Sequence, residues 1–71
     1  MSKYTSIIEK AEDNYSAYCS DLPGCIAPGR TEEETIQRMK EAIEFYIEGL
    51  REEKTSIPTP STKAVSVDVT V

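Results

Sequence analysis

The spacing of apolar positions along the chain switches between a period of two and a period near 3.6, and each switch predicts an element. Tyr4–Ala11 (YTSIIEKA) mixes β-branched and aromatic residues and ends at a polar Glu-Asp-Asn, the pattern of a strand running into a turn. Tyr15–Ser20 alternates strictly, with Tyr15, Ala17 and Cys19 on one face and Ser16, Tyr18 and Ser20 on the other. These two segments predict a hairpin.

The next stretch, Asp21-Leu22-Pro23-Gly24, reverses the chain again. Pro23 pre-sets φ for the second position of a type II turn, and Gly24 supplies the positive φ that its third position requires. Cys25–Ala27 then reads as a short edge strand ended by Pro28-Gly29, because proline cannot donate to a ladder and glycine permits a bend.

From Thr31 the period lengthens. Thr31 and Glu34 have the spacing of a capping box, and Glu32, Glu33 and Glu34 sit where the positive end of the helix dipole favours anions. The dipole accounts for the acidic run without any ligand. Ile36, Met39, Ile43, Tyr46 or Ile47, and Leu50 form one apolar stripe, as expected of a helix packed on a sheet. Gly49 inside this pattern costs about 1 kcal/mol relative to alanine, which predicts fraying or close packing nearby. The prolines of Thr55–Thr62 (TSIPTPST) make a stiff extended spacer. Ala64–Val71 then alternates cleanly, with Val65, Val67, Val69 and Val71 on one face, and predicts a last strand.

The expected order is β-β-β-α-β in a single α+β domain spanning residues 1–71. It has a three-stranded antiparallel sheet, one helix across one face, and a fourth strand that a right-handed crossover brings beside the first. A chain of 71 residues buries only a thin core, so an all-valine strand face and an open sheet edge predict a homodimer or higher homo-oligomer.

Charge narrows the choice of partner. The net charge is −5 and the sequence pI about 4.6, which argues against direct binding to nucleic-acid phosphates and for a basic partner. Most of the excess lies between Thr31 and Lys54, where it also reads as a solvated helix face. Residues 1–30 lack a basic stretch followed by an apolar one, and no apolar run is long enough to span a bilayer, so the expected location is cytoplasmic with no membrane contact.

Catalytic chemistry is sparse. There is no histidine, no glycine-rich phosphate loop and no metal-spaced cysteine set, and Cys19 and Cys25 read as small buried thiols. No metal, no cofactor and no enzymatic activity are expected. The one enzyme class left open is a two-metal nuclease using Glu9, Asp13, Asp21 and Asp68, which read first as turn and surface residues.

Taken in order, "NYSAYCSDLPGC", "GRTEEE", "KEAIEFYIEGL" and "IPTPS" resemble the HicB-like family of type II antitoxins, from about Tyr4 to Ser61. Asp21 to Cys25 match the family's turn, Gly29 and Thr31 its helix entry, Glu41 and Ala42 its mid-helix pair, and Ile57, Pro58 and Pro60 its exit. Ser20 stands where the family often has proline, a change of local stiffness. The resemblance implies a partial ribonuclease H-like fold without nuclease function. It also implies an antitoxin that neutralises a small basic RNA-cleaving toxin of the HicA type. Many relatives continue into a DNA-binding domain; this sequence ends at Val71, so operator binding by the chain alone is not expected. The residues expected to meet the toxin are Tyr15, Tyr18, Asp21 and Leu22, clustered at the second strand and its turn, each also readable as a core or turn residue. The alternative to a cognate antitoxin is an orphan interaction module of the same family.

Overall fold

The computed structural model describes residues 2–71 and contains three strands and one helix: β1 (Ser6–Lys10), β2 (Tyr15–Cys19), β3 (Ile26–Gly29) and α1 (Glu32–Glu52). The strands form one antiparallel sheet in the order β1-β2-β3, so β1 and β3 are both edges. This is the expected α+β arrangement through the helix. Ala64–Val71, read as a fourth strand, carries no strand pairing within the chain.

Register sorts the side chains. Ile8, Ala17 and Ala27 stand in one row facing the helix, and Ile7, Tyr18 and Ile26 stand in a row on the opposite face. Ala17, Cys19, Leu22, Cys25, Ala27 and Met39 form the buried core. Most of these side chains are small, and that lets α1 approach closely over β2 and β3 while touching β1 least.

Two tandem turns connect β2 to β3. The Leu22 N–H donates to the Cys19 carbonyl at 3.1 Å, and the Cys25 N–H donates to the Leu22 carbonyl at 3.0 Å. Gly24 has φ of 82°, the left-handed value a type II turn needs after Pro23. β3 runs on through Pro28 and Gly29, where an end was expected. As an edge strand it tolerates a residue without an N–H, and Pro28 pairs in register with Ser16.

Thr31 caps α1: its hydroxyl accepts from the Glu34 N–H at 3.0 Å, while the Glu34 carboxylate reaches back to the Arg30 N–H at 3.0 Å. The box thus closes one residue earlier than its usual form. Thr31→Ala removes a cap acceptor from the only helix among the described residues and is expected to lower stability by about 1 kcal/mol. Urea denaturation checks this through a lower midpoint at unchanged slope.

The buried stripe of α1 is offset from the expected one at its start. Thr35 is fully buried and Ile36 is 53% exposed, whereas Met39, Ile43, Tyr46, Ile47 and Leu50 face inward as read. The helix neither frays nor packs closely at Gly49; it continues to Glu52, with open space where a Cβ would stand. It ends in a full Schellman motif. The Thr55 N–H donates to the Leu50 carbonyl at 2.9 Å, and the Lys54 N–H to the Arg51 carbonyl at 3.1 Å. The left-handed residue is Lys54, with φ of 56°, where glycine is usual. Lys54→Gly is therefore expected to raise stability by about 1 kcal/mol, read as a higher thermal midpoint.

Candidate partner-binding surface

A single helix covers one face of the sheet, so the other face meets solvent. There the row Ile7–Tyr18–Ile26 crosses all three strands, with Tyr18 40% and Ile26 66% exposed. Glu9 lies on the same face, one pleat further along β1, opposite Ser16. An aromatic ring between two aliphatic side chains, with an acid nearby, suits a partner that offers apolar groups and positive charge.

The four residues read as toxin contacts fall into different settings. Tyr18 is at the centre of the open face. Tyr15 lies on the helix side at the start of β2, half-buried and in register with Gly29. Leu22 is fully buried in the core, directed inward by the tandem turns. Asp21 is bound within the chain: its carboxylate accepts from the Ser61 and Thr62 N–H groups, each at 3.2 Å. It also accepts from their hydroxyls, at 3.0 and 2.9 Å. The open face therefore brings Tyr18 together with Ile7 and Ile26, not with the other three. Ile26 and Ile7 were missed because neither period nor motif marks the outward positions of a short strand; only the register does.

The Asp21 clamp fixes a strap, residues 57–62, across the sheet end. The Tyr4 hydroxyl donates to the Pro58 carbonyl at 2.6 Å, the Thr5 hydroxyl donates to the Thr62 carbonyl at 3.0 Å, and the Ser20 and Thr62 hydroxyls share a bond of 2.9 Å. Tyr4 and Thr5, expected to begin the first strand, hold this strap instead. Partial burial pushes the Asp21 pKa upward, but the hydrogen bonds from Thr62 and Ser61 outweigh it and hold the carboxyl below the ordinary value. A lowered folded pKa gives stabilisation that is complete above the unfolded value of about 3.9 and is lost as pH falls through the folded one. The strap should accordingly stay docked from neutral pH to about pH 4 and loosen below it. Amide chemical shifts of Ser61 and Thr62 followed through an acid titration report this directly, and in Asp21→Asn they should lose that inflection.

Cys25 is buried, and that burial, reinforced by neighbouring Cys19, pushes its thiol pKa up. A thiol held protonated is a poor nucleophile, which suits its place as core filler. Among the described residues, no three carboxylate, thiol or imidazole groups gather closely enough to hold a metal ion, and no helix is long and apolar enough to cross a membrane.

Comparison with known proteins adds family to geometry. A sequence model described as "HicB_like antitoxin of bacterial toxin-antitoxin system" matches residues 4–69. A UPF0150 protein of Thermoplasma acidophilum is 41% identical over 66 residues, covering 92% of this chain and 96% of that one. A UPF0150 protein of Synechocystis is 48% identical over 56 residues, covering 78% of this chain and 71% of its own length. An uncharacterized 14.9 kDa protein of Haemophilus phage HP1 is 42% identical over 55 residues, which are 78% of this chain and 41% of the phage protein. No solved structure matches. With the match running from the strap-holding Tyr4 through the sheet and helix into the valine-rich tail, the chain belongs to the HicB-like antitoxin family of bacterial toxin–antitoxin systems.

Proposed function

We propose that this chain binds and neutralises a small basic RNA-cleaving toxin of the HicA type, that it does so in the cytoplasm, and that it works as a homodimer. The observation that carries the reading is an uncovered sheet face, with Tyr18 between Ile7 and Ile26, on an acidic chain of an antitoxin family. Tyr18 supplies the central anchor. Leu22 and Asp21 hold the turn beside it in shape, and Tyr15 contributes from the opposite rim of the sheet. Buried aromatic anchors give most of the holding energy in such complexes, while a net charge of −5 speeds encounter with a basic protein and makes its rate fall with salt. In this reading the protein performs no chemistry; it occupies the surface the toxin needs for RNA.

The trial is co-expression with a basic reading frame adjacent to this one. Growth rescue and a co-purifying complex are expected. If the neighbour is toxic and this chain neither rescues growth nor co-purifies, cognate neutralisation fails and the orphan-module reading replaces it.

A further inference from the structure

We propose that Ala64–Val71 of each chain completes the sheet of a second copy, lying along that copy's β1 edge with its valines in the groove between β1 and α1. The exchange is reciprocal. It deepens the homodimer of the preceding section and rests on that reading, independently of the toxin.

Both halves of this contact stand open in the structure. The tail carries no helix, turn or strand pairing, with Val65 69%, Val67 74%, Val69 73% and Val71 fully exposed. Its apolar face is continuous, because the alternation puts all four valines on one side and Ser66, Asp68 and Thr70 on the other. β1 is an edge strand, and α1 is displaced toward β3, leaving an apolar groove lined by Tyr4, Ile8, Ile36, Met39, Ile43 and Ile47. A strand added to β1 with its valines on the helix side fills this groove and turns its polar residues outward.

The lengths agree. Eight extended residues reach about 26 Å, more than the about 17 Å spanned by the five residues of β1. The occupant is a second copy because the chain's own tail stands away from its body. The strap is clamped at Thr62 by Asp21, Thr5 and Ser20, and every residue beyond it, 63–71, is exposed and carries no pairing within the chain. A two-fold arrangement in which each copy gives one tail and receives one closes on itself and leaves neither valine face in water. Stable interfaces bury about 1,200–2,000 Å² in total, and two exchanged strands of this length supply on the order of that area.

The test combines light scattering of the full chain at micromolar concentration with isotope-filtered NMR on a mixture of labelled and unlabelled copies. A dimer is expected, with contacts between Val67 methyls of one copy and Ile8 or Ile43 methyls of the other. The double variant Val67→Asp/Val69→Asp should keep its helical circular dichroism, since these positions are exposed in the single chain, and should raise the dimer dissociation constant at least 100-fold. A variant that dimerises as before overturns the tail's role and leaves the homodimer standing. Filtered contacts joining the two tails to each other overturn the groove as the receptor. A monomeric wild-type chain overturns both the exchange and the homodimer.

Discussion

Replacing Gly29 by alanine is expected to cost about 3 kcal/mol or more, at the upper end of what overpacking does. The backbone at Gly29 is not left-handed, so glycine is there for space and not for conformation. A Cβ built on it would lie 2.7 Å from the Thr35 nitrogen and 2.8 Å from the Thr35 Cα, and closer still to the Thr35 hydroxyl oxygen. Two of those atoms are helix backbone and cannot swing aside. The Thr35 hydroxyl is itself committed, donating to the Thr31 carbonyl at 2.7 Å. The substitution must therefore push the first turn of α1 off β3, where the helix makes its tightest approach. At an unconstrained strand site the same change would stabilise by about 0.4–1 kcal/mol through the unfolded state, so the sign alone separates the two cases. Equilibrium denaturation of Gly29→Ala reads it.

Leu22→Ala is expected to cost about 3 kcal/mol, within the range for truncating a buried leucine. Leu22 is among the largest fully buried side chains, in a core otherwise built of alanine, cysteine and one methionine. Small neighbours on a hydrogen-bonded sheet have little freedom to collapse into the space. Since domains of this kind are stable by about 5–15 kcal/mol, the loss is a large share of the whole. Thermal unfolding should show a midpoint lowered by more than 10 °C. A shift of a degree or two would mean that the tandem turns rearrange to fill the cavity.

Strands, turns and helix were legible because each rests on local chemistry. Tyr15–Cys19 alternates, Pro23-Gly24 turns with the left-handed glycine it needs, and Thr31 caps. What was not legible depends on contacts between distant segments. Thr35 displaces Ile36 from the buried stripe because Gly29 lets β3 come against it, a pairing that helical periodicity does not encode. The turn motif marks Asp21 and Leu22 as contact candidates, each also readable as a turn or core residue. In the fold one is occupied by the strap from 40 residues away and the other lies in the core. Tyr18 alone of the four is on the open face, and its neighbours Ile7 and Ile26 emerge only with the register of three strands. The valine tail shows the same division. Period-two alternation states that Ala64–Val71 favours an extended form with one apolar face; the crossover rule places it beside the first strand of its own chain, and the sequence does not state that this pairing is left unmade there.

The central claim, that this chain silences a basic ribonuclease by binding it, is tested most directly where an adjacent reading frame encodes a small basic protein that cleaves RNA, by titrating the purified chain into that protein's RNA-cleavage reaction. Cleavage should fall linearly to background and reach it at a fixed molar ratio, with Tyr18→Ala requiring at least tenfold more protein. Cleavage that continues unchanged in large molar excess of this chain would contradict the account.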